Sequence, residues 1–264
     1  MASNRHTYDY TVDPASGTAP ARVIRMIGSG RRVLELGCGP GAITKHLAAN
    51  GCAVTAVELD TAAIEQVRPY CSRVHRANLD GDDWPALVGS GQRFEIVLAA
   101  DVLEHLHDPA SVLLRMEAFL CDGGSIVLSL PHIAHSAIHA CLFHGDFQYR
   151  DWGLLDRTHI RFFGLQNMQA LVESCNLKIV EAEFVRTPPL LTEFATAWRR
   201  LPPTLRRELR RAHHGDIYQV VLRAVRLDDP GVPVVLHELA RATSGRSESA
   251  RVMSLVAWLR SWIS

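Results

Sequence analysis

The chain has 264 residues, 47% of them hydrophobic, enough to bury the core of one α/β domain with insertions. Its 28 Lys and Arg balance its 28 Asp and Glu, so net charge draws it neither to nucleic acid nor to an anionic membrane. No uncharged apolar stretch is long enough to span a bilayer, residues 1–20 lack a secretory apolar core, and the six Cys form no CxxC pair; a cytoplasmic protein without a zinc or redox motif is expected.

Residues 1–20 are polar and turn-rich. A helix is expected from Ala21 to Ile27, then a buried strand from Arg31 to Leu36 that runs into glycines. A helix from Ala42 to Asn50 ends at Gly51, and Cys52 to Val57 is a second strand. Asp60 or Thr61 caps a helix reaching Pro69, and Ser72 to His75 is a short third strand. Phe94 to Ala100 is a fourth strand. Pro109 to Leu120 is a helix with Pro in its first turn and Asp122-Gly123-Gly124 after it, and Ser125 to Leu130 is a fifth strand.

Residues 132–164 are rich in His and aromatics and carry no clean period. A helix is expected over Leu165–Ser174, a strand over Leu177–Val185, a helical insert between Pro188-Pro189 and Pro202-Pro203, and a late strand over Ile217–Val225. After Pro233 the tail reads as an amphipathic helix ending with Val256 to Ile263. Alternating strands and helices predict an α/β fold, a doubly wound, mostly parallel sheet. The expected organisation is a segment over the ligand site (1–20), one domain (21–228) with insertions at 132–164 and 186–215, and a helical tail (229–264). Dimer or lid roles suit the region after 186, with a homodimer among the options.

Gly37, Gly39 and Gly41 follow the first strand and open a helix. Glycine there allows unusual dihedrals and close backbone approach, and a helix N-terminus attracts anions. The spacing Gly37-x-Gly39-x-x-Ala42 also fits a dinucleotide fingerprint, and Glu58 ends the second strand where a ribose-binding acid belongs. NAD and S-adenosylmethionine (SAM) both carry that ribose, so the loop and Glu58 leave both open.

Val33-Leu-Glu-Leu-Gly-Cys-Gly-Pro-Gly41, Val57-Glu58, Asp101-Val-Leu-Glu-His-Leu106 and Cys121-Asp-Gly-Gly124 resemble, in order and spacing, the motifs of class I SAM-dependent methyltransferases. That resemblance spans residues 20–185. It implies a seven-stranded Rossmann-like sheet whose antiparallel last strand is Ile217–Val225, and SAM as cofactor. Glu35 and the loop Gly37, Cys38, Gly39 and Gly41 would face the amino acid part of SAM. Glu58 would bind the ribose hydroxyls, and Leu59 would pack on the adenine. Asn78, Leu79 and Asp80 stand where the family has its adenine contact, with Ala77-Asn78 in place of Gly-Asp. Asp101 and Val102 would lie near the sulfonium and methyl, with His105 under the cofactor and Tyr10 over it.

Pro131-His-Ile-Ala-His135, Phe147-Gln-Tyr-Arg150 and Gly153 to Phe163 resemble a bacterial subgroup of these enzymes that accompanies glycosyltransferases in polysaccharide and natural-product pathways. The resemblance implies a small-molecule acceptor, a sugar or polyhydroxylated metabolite methylated on oxygen. A hydroxyl needs a base, and His serves near neutral pH. The candidates are His132, His135, His144 and His159, with Asp156 to orient one; holding the loop 153–163 is the structural alternative for His159 and Asp156. His135 and His139 at i,i+4 make half a metal site, with Glu104, His107 and Asp108 as neighbours, yet no complete ligand motif is present and no metal is expected. An NAD-dependent oxidoreductase and a non-catalytic methyltransferase-like subunit are the alternatives. The first lacks a hydride-transfer constellation such as YxxxK. The second conflicts with the intact loop, Glu58 and Asp101.

Overall fold

The structure, a computed structural model, describes residues 10–244. The part of the expected helical tail from 245 to 264 lies outside these residues. The strands are β1 (Arg32–Leu36), β2 (Ala53–Glu58), β3 (Arg73–Arg76), β4 (Phe94–Ala100), β5 (Leu120–Pro131), β6 (Leu177–Arg186) and β7 (Ile217–Arg226). They form one seven-stranded sheet in the order β3-β2-β1-β4-β5-β7-β6. β1 to β5 pair in parallel, while β7 runs antiparallel to both β5 and β6, as the sequence predicts. Strand order reverses between β1 and β4, and the crevice beyond their C-terminal ends is where open α/β sheets bind ligands.

The strands are apolar on both faces because helices cover both. Alternate residues of a strand point to opposite sides. Val33, Val54, Ile96, Leu98, Val127 and Val221 pack beneath α1 (Ala19–Ile27) and α2 (Thr44–Ala49). Leu34, Val97, Leu128 and Leu222 face α4 (Trp84–Val88), α5 (Pro109–Ala118), α7 (Leu165–Ser174) and α10 (Leu236–Thr243). α3 (Thr61–Val67) follows β2, and its N-cap Asp60 accepts the Ala63 N–H.

The region without a period contains α6 (Ser136–Phe143). Its residues Ala137, Ile138, Ala140 and Cys141 pack with Leu154, Leu155, Phe194 and Trp198 in a satellite core of their own. That core joins residues 137–155 to α8 (Ala195–Arg200), and α9 (Pro203–Leu209) follows. The two insertions therefore form one unit beside the C-terminal end of β5.

Candidate functional site

The glycine loop turns sharply at the end of β1. Gly37 has φ +66°, and a Cβ there would lie 2.7 Å from Val102 Cγ2. Gly41 has φ +92°, and a Cβ there would lie 2.8 Å from Val67 Cγ2. Cys38 is buried between them. The Gly41 N–H donates to the Cys38 carbonyl, so the turn continues past the glycines and α2 starts at Thr44 rather than at the expected Ala42.

Four sequence-predicted acidic or phenolic groups converge on this crevice. Glu35 is buried and accepts a 2.8 Å hydrogen bond from the Thr44 hydroxyl. Burial pushes its carboxyl up to about 7, the Thr44 bond opposes that, and the Glu58 charge adds to it. Asp101 sits at φ +55° just after β4, and its Oδ1 accepts from the Ser129 hydroxyl (2.8 Å) and the Gln219 amide (2.9 Å). Burial raises its carboxyl despite those bonds. Tyr10 reaches the same place: burial, then the charges of Asp101 and Glu35, hold its phenol above the ordinary range. The Glu58 carboxylate accepts the N–H groups of Gly39 (2.8 Å), Leu59 (2.7 Å) and Asp60 (2.9 Å), which fixes its orientation beside the loop. No Lys or Arg pairs with Glu35, Glu58 or Asp101 among the described residues. A ligand carrying an ammonium and a sulfonium supplies the positive charge that this crevice lacks, and a pyrophosphate does not.

Leu59 is 53% exposed at the end of β2, and Leu79 is buried. Asn78 makes a local turn, its amide oxygen accepting the Asp80 N–H at 3.1 Å. Asp80 is turned to His107, accepting from its N–H (2.8 Å) and lying 2.9 Å from its Nδ1.

The His candidates separate. His135 is fully buried; its Nδ1 accepts the Ala137 N–H and its Nε2 lies 2.8 Å from the Thr187 carbonyl. Both nitrogens are engaged, one in capping α6 and the other in pinning it to residue 187. His132 is likewise buried, with Nδ1 on the Ile217 carbonyl, and His144 Nε2 lies on the Ala197 carbonyl. Asp156 Oδ1 accepts from the Thr158 N–H (2.9 Å) and hydroxyl (2.7 Å), and Thr158 in turn holds His105 Nδ1. His159 Nδ1 faces the Leu154 carbonyl rather than Asp156. Burial first, then the nearby His105, lowers the His159 imidazole to about 4, so it is neutral at pH 7. The His159 ring meets that of His105 edge to face, centroids 4.8 Å apart, and His105 follows Asp101 by four residues. Thr44, Ser129 and Gln219 were not predicted as site residues, and Glu104 was named only as a neighbour of a half metal site at His135 and His139. Ser129 and Gln219 come from β5 and β7 and meet Asp101 only through strand pairing, which leaves no local signal.

Residues 11–182 match the model of a family described as a methyltransferase domain. The chain belongs to that methyltransferase family. This methyltransferase uses SAM, and the NAD reading is set aside. It is 24% identical over 166 residues to a ubiquinone biosynthesis O-methyltransferase of Coxiella burnetii, covering 62% of this chain and 71% of the relative. With the same-named protein of Azotobacter vinelandii it shares 30% over 103 residues, 38% of this chain and 44% of the relative. A SAM-dependent methyltransferase of Mesorhizobium loti shares its fold with a TM-score of 0.52 at 19% identity, over 80% of this chain and 99% of that one. The 1,6-didemethyltoxoflavin-N1-methyltransferase of Burkholderia thailandensis, solved with its acceptor and S-adenosylhomocysteine, gives 0.51 at 19% identity, over 82% and 80%. No helix of the described residues is long and apolar enough to cross a membrane.

Proposed function

We propose that this methyltransferase moves the SAM methyl group to a hydroxyl of a small polyhydroxylated acceptor, a sugar or a related metabolite. The observation that carries it is the neutral His159 of the insertion, packed against His105 and 3.9 Å from Glu104, both in the turn that follows Asp101. SAM supplies an already activated methyl, so the chain has to position the acceptor and let its proton leave. Positioning alone contributes about 7–11 kcal/mol in well-oriented reactions.

In this reading Glu35 and the backbone of Gly37, Cys38, Gly39 and Gly41 hold the amino acid part of SAM. Glu58 takes the ribose, and Leu59, Asn78, Leu79 and Asp80 border the adenine. Asp101, Val102, His105 and Tyr10 enclose the sulfonium end. Tyr149, Trp152 and Phe162 are partly exposed on the insertion and offer an aromatic wall to a sugar face. The O-methyltransferase names of the relatives favour oxygen as the acceptor atom. The resemblance to enzymes that accompany glycosyltransferases favours a saccharide, and the six free cysteines suit a reducing cytoplasm.

The test is methyl-labelled SAM with a panel of nucleotide sugars and oligosaccharides against phenols and amines. Label in an alkali-stable ether on a sugar supports the reading. Transfer confined to phenols or amines overturns the acceptor class. His159→Ala should lower turnover about 10²-fold or more while SAM affinity by calorimetry stays within about twofold; normal turnover returns His159 to a structural role.

A further inference from the structure

Glu104 is 1% exposed, and among the described residues neither of its carboxylate oxygens meets a hydrogen-bond partner on another residue. Leaving a buried polar group unpaired is costly, and leaving an ionised one unpaired more so. Protonation does not remove the deficit in this geometry, because the His159 Nε2 that could accept the carboxyl hydrogen lies 3.9 Å away, beyond hydrogen-bond reach. Asp101 and Asp156 add negative charge around it. A bound cation would give these oxygens a partner and offset the surrounding negative charge.

The surroundings are built to hold one. Glu104 Oε1 lies 3.9 Å from His159 Nε2, and one ligand atom each from Glu104, His105 and His159 falls within 4.8 Å of the others. Bonds of about 2.0–2.2 Å place neighbouring ligand atoms roughly 3.4 Å apart, so the three groups need to close by about half an ångström to about one and a half ångströms. The other nitrogen of each ring is already braced. His159 Nδ1 is 3.4 Å from the Leu154 carbonyl, and His105 Nδ1 is 3.2 Å from the Thr158 carbonyl. Metal-binding imidazoles are commonly held in this way through their second nitrogen. The Glu104 carbonyl accepts the N–H groups of both Ile160 and Arg161, which ties the segment carrying His159 to the turn carrying Glu104 and His105.

We propose that Glu104, His105 and His159 together bind one divalent first-row transition cation that receives the acceptor hydroxyl at an open position. The inference rests on the methyltransferase reading above. Two imidazoles with one carboxylate suit Zn²⁺ or Mn²⁺ better than Mg²⁺ or Ca²⁺, which prefer all-oxygen sites. Three protein ligands leave a coordination position for substrate. A hydroxyl there ionises more readily, losing its proton to water. Its oxygen then bonds the methyl carbon as the carbon–sulfur bond breaks, sulfur keeps the electron pair, and the cation is neither oxidised nor reduced. His159 thereby activates the hydroxyl as a ligand and not as the proton acceptor.

The experiment titrates tag-free, chelator-treated full-length protein with ZnCl₂ and with MnCl₂ by calorimetry, alongside SAM binding on the same samples. One saturable equivalent is expected, weakened at least tenfold in Glu104→Gln and in His159→Asn, with SAM affinity retained. Turnover of the chelated enzyme should return with the metal. Retained SAM binding shows that the variants are folded and that the cofactor assignment stands on its own. Absence of saturable binding overturns the proposal. So does binding that survives both substitutions, which points instead to the half-exposed imidazoles of His213, His214 and His237, whose ring centroids lie 5.8–6.4 Å apart.

Discussion

Glu35 shows how a single buried carboxyl is stabilised by what it binds. Its ordinary value is 4.5 and burial raises it to about 7. Between those values the folded chain keeps a proton that the unfolded chain has lost. Stability of the SAM-free enzyme therefore falls as pH climbs from about 4.5 to about 7, and the loss persists above that. Gln at this position carries no such penalty. The melting temperature of Glu35→Gln relative to wild type, both without SAM, should rise by a few degrees between pH 5 and pH 8. A difference that does not change with pH would contradict this account. The motif places Glu35 in the sequence, but its unusual chemistry comes from Thr44, Glu58 and the surrounding core.

At the scale of elements, the glycine loop is set by backbone geometry. Gly37→Ala would put a methyl group 2.7 Å from Val102 Cγ2 at a positive φ. Left-handed backbone costs a non-glycine residue roughly 1–2 kcal/mol before the contact is counted. Gly37→Ala should lower the melting temperature by several degrees, and Val102→Ala in the same chain should recover part of the loss. No recovery would mean that backbone strain alone carries the cost. Elements with a complete local pattern were legible: β4 and α7 occupy the expected Phe94–Ala100 and Leu165–Ser174. β5 begins at Leu120, before the expected Ser125, because Leu120 pairs with Phe94 ahead of a bulge. α6 gave no period because Ser136, Ala137, Ile138, Ala140 and Cys141 are nearly all buried, so it has no polar face to alternate with. α4 is a single turn around Trp84, too short for any period to register.

Across the whole molecule, Arg186 at the end of β6 ties distant parts together. Its guanidinium pairs with Asp216 before β7 and donates to the His213 carbonyl (3.1 Å). It also donates to the Ala240 carbonyl (3.1 Å) and the Thr243 hydroxyl (3.2 Å) of α10. Arg186→Ala should cost about 2–3 kcal/mol in denaturant unfolding, as for lost hydrogen bonds to a charged group. A loss under about 0.5 kcal/mol would show that α10 is held by packing of Leu236 and Ala240 alone. A second tie, Glu193 to the Tyr218 hydroxyl and the Leu154 N–H, joins the two insertions to β7.

The sequence by itself determined the sheet, the glycine loop, Glu58 and the Asp101 turn, because each is written in contiguous residues whose periodicity or motif is local. The tertiary structure decided which histidines face the crevice. His135 and His159 read alike in the sequence, yet one is spent between Ala137 and Thr187 while the other stands beside Glu104. That outcome depends on contacts between residues 52 and 55 positions apart, and a carboxylate with no hydrogen-bond partner among the described residues is visible only once everything around it is in place.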